Sequence, residues 1–174
     1  LYVKLASGVG AGLVLGGRLH RGAVGLAGEV GHVPAREDGP VCRCGSRGCL
    51  ESEVSSRRLL ELLRPVYGDY LDLAHLLALD AAGEPAVRRV LTDAGHTTGR
   101  VLASLCTTLN PGVVVIGGSL GASPTLVSAI RIGIDRYAHP EAAASCEVVS
   151  GHFGGRAELM GALSLAIIRA AETA

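Results

Sequence analysis

The stretch LYVKLASGVGAGLVLGGRLHRG, Leu1 to Gly22, decides the fold. LYVKLA alternates apolar and polar residues as a strand does, and SGVG breaks it with turn residues. AGLVL reads as a second strand, the GG pair as a hairpin turn, and RLHRG as a third short strand. A three-stranded meander over residues 1–22 follows. Residues 23–51 are rich in Gly, Pro and Cys, which predicts loops held by something other than a hydrophobic core. Ser55 and Ser56 can cap a helix through Leu59, Leu60, Leu62 and Leu63 that ends near Pro65. Asp72 can cap a second helix, closed by Gly83.

A long helix is predicted from Pro85 to Leu109, with proline in its first turn and Val87, Val90, Leu91, Ala94, Val101, Leu102 and Leu105 at helical spacing. GVVVIGG reads as a buried strand of a parallel sheet. Ser123 and Pro124 open another helix, CEVVSG is a further strand, and RAELMGALSLAIIRAAE closes the chain as a helix. The order is β-β-β over 1–22, a helical and irregular insertion over 23–84, then α-β-α-β-α over 85–174. Such an order predicts an α/β fold, a mixed sheet with flanking helices. It is similar to the ribonuclease-H-like lobe of actin-like ATPases and sugar kinases.

Composition narrows the function. Of 174 residues, 48% are hydrophobic and 25 are glycine, which fits a packed α/β layer and excludes a disordered chain. Sixteen acidic residues balance sixteen basic ones, so no electrostatic footprint for nucleic acid is visible. Arg57, Arg58 and Arg64 read as the solvated face of a helix. No apolar run is long enough to span a bilayer and no leader precedes the meander, so a soluble, cytoplasmic protein without a membrane partner is expected. Starting at Leu1 in mid-strand, the chain reads as part of a longer protein.

VCRCGSRGCLE, Val41 to Glu51, holds three of the five cysteines. Cys42, Cys44 and Cys49 have the spacing C-x-C-x4-C, and Gly45 and Gly48 permit a turn tight enough to aim three sulfurs at one point. Zn2+ takes four tetrahedral ligands, and the nearest upstream donor is His32 in GEVGH. The plain alternative is three cysteines, reduced or disulfide-linked, with no metal. Cys106 and Cys146 sit among apolar neighbours and read as core residues. His20, His75, His96, His139 and His152 are isolated and read as helix-face or loop residues.

AGEVGH followed by CRCGSRGCLE resembles the signature of the ROK family, which comprises sugar-responsive repressors and sugar kinases. SGVGAG and VVVIGG fall where that family carries two nucleotide-site motifs, so the resemblance covers nearly the whole chain as the carboxy-terminal half of such a protein. It implies His32, Cys42, Cys44 and Cys49 as zinc ligands and Glu29, His32 and Glu51 as ligands of sugar hydroxyls. It also implies Ser7, Gly8, Gly10, Gly12, Gly117 and Gly118 around a nucleotide. Kinases of the family read Gly-Thr-Gly-Val-Gly-Gly-Gly at the first glycine motif; here Ala6, Ser7 and Ala11 depart from it, and Ser119 stands where a third glycine is frequent in the second. The plain alternative is a tight hairpin for the first glycine motif and a strand-to-helix turn for the second. The kinase's catalytic aspartate belongs upstream of this chain, and Asp38, Asp69, Asp72, Asp80, Asp93 and Asp135 lack the context to replace it. No catalytic residue is therefore assigned.

The expected function is the sugar-sensing effector domain of a ROK-type transcriptional regulator, binding a sugar or sugar phosphate. DNA would be contacted through an amino-terminal helix-turn-helix outside the chain, and the family implies a homodimer or homotetramer. The alternative is the carboxy-terminal half of an ATP-dependent sugar kinase of the glucokinase type, with ATP as a ligand only in that case. A third reading is a zinc-stabilised assembly module with a vestigial pocket.

Overall fold

A computed structural model describes residues 1–172. The meander forms as β1 (Tyr2–Leu5), β2 (Val9–Leu15) and β3 (Arg18–His20). β1 pairs antiparallel with β2, with Tyr2 opposite Gly12 and Leu5 opposite Val9. Two later strands, β4 (Val113–Gly117) and β5 (Glu147–Ser150), add in parallel on the other side of β1. The sheet order is β3-β2-β1-β4-β5, so the first strand of the chain sits at its centre. Val3, Leu5, Val114 and Ile116 are fully buried there.

The helices are α1 (Leu50–Val54), α2 (Ser56–Tyr67), α3 (Leu73–Ala82), α4 (Pro85–Leu109), α5 (Pro124–Tyr137), α6 (Pro140–Ala144) and α7 (Ala157–Glu172). Caps act where the sequence places them on α3 and α5. Asp72 accepts the His75 N–H at 2.8 Å, and Ser123 accepts the Leu126 N–H at 3.1 Å. Ser123 also donates to buried Asp80 at 2.6 Å, which ties α5 to α3.

Three expectations need correction. Helix α2 does not end near Pro65; it carries that proline inside it and stops at Gly68, with φ 90°. The proline forgoes one intrahelical hydrogen bond, while Leu59 and Leu63 hold the helix to the core from earlier turns. Strand β2 begins at Val9, two residues ahead of its predicted start, so Gly10 lies in the ladder opposite Lys4 rather than in a turn, while Gly12 pairs with Tyr2 within the strand. The five-residue helices α1 and α6 are absent from the sequence reading, being too short to show a period.

Helices α4 and α5 pack at unusually short range. A Cβ on Gly99 would lie 2.5 Å from the Ile130 carbonyl oxygen and 2.8 Å from the Gly133 Cα. Backbone meets backbone there, so Gly99→Val has no room and is expected to cost roughly 2–4 kcal/mol by forcing the helices apart. Urea unfolding monitored by circular dichroism checks this; an unchanged midpoint would contradict it. Helix α7 stands differently. Leu159, Leu163, Ile167 and Ile168 are more than half exposed, and its first turn is held by an ion pair from Lys4 to Glu158. Among the described residues no helix is long and apolar enough to cross a membrane.

Candidate functional site

The segment between β3 and α1 is built around one short backbone ladder. The Ala35 N–H donates to the Gly48 carbonyl at 2.8 Å, and the Leu50 N–H to the Val33 carbonyl at 2.9 Å. Inside that ladder the Cys42 N–H reaches the Ser46 carbonyl at 2.8 Å and the Gly48 N–H reaches the Pro40 carbonyl at 2.9 Å. The loop therefore closes on itself twice, which brings residues 42, 44 and 49 to one place. His32 comes in from the end of a single 3-10 turn, Val30–His32. That segment is pinned to the sheet by the Ala11 N–H donating to the Gly28 carbonyl at 2.7 Å.

Four ligating atoms, one each from His32, Cys42, Cys44 and Cys49, lie within 4.8 Å of one another. Cys42 Sγ is 3.6 Å from His32 Nδ1, and Cys44 Sγ is 3.6 Å from Cys49 Sγ. A tetrahedral metal with bonds of about 2.3 Å to sulfur and about 2.0 Å to nitrogen requires edges of roughly 3.5–3.8 Å. The two separations of 3.6 Å meet that requirement and all four atoms stay within 4.8 Å, so the cluster fits a metal ion. A disulfide does not form, since all five cysteines are free.

The electrostatics of the cluster fit the same purpose. Burial, with the Cys44 and Cys42 thiols beside it, pushes the Cys49 thiol up to about 12. The Ser46 backbone hydrogen bond draws Cys44 below its ordinary value. A divalent cation among them would turn that cost of ionisation into a gain, because thiolates are its ligands.

With Nδ1 turned to the sulfurs, His32 directs Nε2 outward, 3.8 Å from Glu29 Oε2. Glu51 lies in the first turn of α1, two residues after Cys49. Its Oε2 accepts the Val9 N–H at 2.9 Å, and its Oε1 lies 3.2 Å from Arg43 Nε. The carboxylate thus links the sulfur loop to the first glycine turn.

Glu51 opens into a cleft of about 540 Å³, lined also by Lys4, Ser7, Gly8, Arg43, Ser52 and Arg57. Each of its three cations already faces a carboxylate: Lys4 faces Glu158, Arg43 faces Glu51, and Arg57 faces Glu61 at 3.9 Å. Glu29 and His32 form their own pair outside that lining. Lys4 and Arg43 escape the sequence reading, and Arg57 reads there as simply solvated. Arg43 alone offers a signal, since it stands between two metal-spaced cysteines; in space it lies beside Glu51.

The glycine motifs have structural reasons of their own. Gly117 ends β4, and a Cβ on Gly118 would meet the Leu5 carbonyl oxygen at 2.4 Å, so strand β1 and the turn after β4 could not approach. Cys106 and Cys146 are buried, as their apolar neighbours predict; burial and the neighbouring Cys146 push Cys106 up to about 12.

These features can be set beside known proteins. Over 173 residues the chain is 30% identical to the xylose repressor of Bacillus spizizenii, covering 96% of this chain and 44% of the repressor. Among solved structures it superposes with a TM-score of 0.84 and 28% identity on a ROK family glucokinase from Streptomyces griseus in complex with glucose and AMPPNP, covering 94% and 59% of the two chains. It superposes with a TM-score of 0.77 and 27% identity on a ROK family transcriptional regulator, a homologue of the E. coli MLC protein, covering 86% and 40%. The chain spans about half the length of the relatives it matches. Both repressors and kinases of sugars thus share this mixed sheet and its flanking helices. The profile of the ROK family matches residues 1–169, and the chain belongs to that family.

Proposed function

We propose that this chain is the sugar-sensing part of a ROK-type transcriptional regulator, with DNA contact left to sequence outside these 174 residues. Zn2+ would be held by His32, Cys42, Cys44 and Cys49. It would supply no reactive group, only a rigid loop. Fixing His32 through Nδ1 leaves Nε2 with one tautomer and one direction, available with Glu29 for a sugar hydroxyl. Glu51 would accept from further hydroxyls across the cleft, since ionised carboxylates accept without donating.

The observation that favours a sensor over a kinase is the hydrogen bond from the Val9 N–H to Glu51 Oε2. A glycine turn cradles phosphate by offering free N–H groups. Here that donor is already given to a carboxylate, and the adjacent Ala6 N–H bonds to the Gly8 carbonyl at 3.2 Å. A nucleotide phosphate would meet the Glu51 carboxylate in place of the Val9 and Ala6 donors. The departures at Ala6, Ser7 and Ala11 agree with this.

Calorimetric titration tests the reading. D-xylose, D-glucose and their phosphates form the sugar panel, and AMPPNP with Mg2+ forms the nucleotide arm. One sugar is expected to saturate the chain and AMPPNP is not. Glu51→Gln is expected to keep the metal and weaken that sugar by roughly 10–100-fold, the loss of one or two charge-assisted hydrogen bonds. Saturable AMPPNP binding would favour the kinase reading, and silence across the panel would favour a vestigial pocket.

A further inference from the structure

A second cavity, lined by none of the residues of the cleft above, belongs to none of that chemistry. It opens between α4 and α5 with a volume of about 200 Å³ and is lined by His96, Arg100, Ile132, Arg136 and Tyr137, with Thr97 at its edge. No carboxylate lines it. The acids nearest along the two helices are engaged by other arginines, Asp93 by Arg89 at 3.6 Å and Asp135 by Arg131. Among the described residues, neither Arg100 nor Arg136 lies within ion-pair distance of a carboxylate.

Each guanidinium is oriented without being neutralised. Arg136 lies over the Tyr137 ring, 5.5 Å from its centre, which steadies it and leaves its charge in place. Arg100 donates one N–H to the Ala35 carbonyl. Thr97 gives its hydroxyl proton to the Asp93 carbonyl at 2.9 Å, so the donors left for a ligand are the two guanidinium groups, the His96 ring and the Tyr137 phenol. Two uncompensated planar forks on facing helices, with further donors beside them, match a tetrahedral oxyanion. The volume suits one phosphate group with a small substituent and is too small for a nucleotide.

We propose that this cavity binds a single phosphate group, as a small phosphate monoester or as inorganic phosphate. Arg100 makes the site more than a surface trap. The carbonyl it holds, Ala35, lies in the loop between His32 and Cys42, and the Ala35 N–H is a rung of the ladder that shapes the metal cluster. A phosphate drawing on Arg100 changes that hold, so occupation of the cavity is felt in residues 33–37.

The test is calorimetric titration of the intact chain with inorganic phosphate and with glycerol 3-phosphate at fixed ionic strength. One saturable site per chain is expected. Arg136→Gln and Arg100→Gln are each expected to weaken binding by at least about tenfold, the loss of one charge-assisted contact. Arg18→Gln on β3 removes the same charge outside the cavity lining and is expected to leave binding unchanged. Tighter binding of the monoester identifies a phosphorylated metabolite as the ligand, and tighter binding of phosphate identifies the free ion. No saturable binding, or equal weakening by R18Q and R136Q, overturns the site. Hydrogen exchange supplies the second readout: phosphate is expected to alter amide exchange over residues 33–37, and unaltered exchange with phosphate bound overturns the coupling.

Discussion

Replacing Cys49 by serine is expected to reduce bound zinc from one ion per chain to none and to lower the melting temperature sharply. Cys49 Sγ belongs to the four-atom cluster, and the residue is fully buried between the loop and α1. The variant therefore loses both the metal and a packed sulfur. Structural zinc contributes about 10–16 kcal/mol in small finger peptides that have no other core. Here a core of buried Leu, Ile and Val persists beneath the loop, so a smaller loss of roughly 3–5 kcal/mol is expected, or about 6–20 °C for a domain of this size. Two companion variants separate the causes. Cys44 is exposed, so Cys44→Ser should lose the metal with little packing loss. Cys106 is buried among the helices, so Cys106→Ser should destabilise the fold and keep the metal. Elemental analysis and thermal unfolding read the two effects apart. Full metal content in C49S and C44S would reject the ligand assignment.

Gly48→Ala is expected to be nearly as damaging, and Gly45→Ala mild, although both glycines sit in the same turn at positive φ. Gly48 has φ 63°, and a Cβ there would lie 1.6 Å from the Arg36 carbonyl oxygen. That oxygen belongs to the backbone facing Gly48 across the ladder, so it cannot swing away as a side chain can. The ladder from Val33 to Leu50 would have to open, at a cost of roughly 3–5 kcal/mol. Gly45 has φ 89° with nothing within 4 Å of its would-be Cβ. Only the left-handed strain remains, about 1 kcal/mol. Urea midpoints and zinc retention against a chelator should rank wild type close to G45A and far above G48A. Equal losses in the two variants would show that the steric account of the turn is wrong.

The contrast shows what a sequence discloses and what it hides. Gly45 and Gly48 are equally visible as turn residues beside cysteines, but which one faces a carbonyl depends on a strand partner twelve residues upstream. Ser123-Pro124, Asp72 and Gly83 announced their helix ends because a cap is a local event, settled within a turn. Pro65 misled for the opposite reason: Leu59 and Leu63 bury the preceding turns deeply enough to carry the helix past a residue that breaks isolated ones. The grouping of His32, Cys42, Cys44 and Cys49, which could hold a metal ion, was legible because ligand chemistry admits few residue types and spacings. His32 stood out as the nearest donor, and the loop brings its Nδ1 to Cys42. The cleft was legible only in part. Glu51 was marked by its place after Cys49, whereas Lys4, Arg43 and Arg57 come from a strand, a loop and a helix that only the folded chain assembles. Arg100 and Arg136 are more hidden still, because their significance lies in acids that are paired elsewhere.

Sugar recognition by His32 and Glu29, and by Glu51 in the neighbouring cleft, is proposed to depend on the metal that fixes their loop. Calorimetric titration of the responding sugar into zinc-loaded protein, chelator-stripped protein and stripped protein resupplied with one equivalent of Zn2+ tests it most directly. Binding that is present with the metal, lost on stripping and restored on resupply is the predicted result. Equal sugar affinity in the loaded and stripped proteins would contradict it.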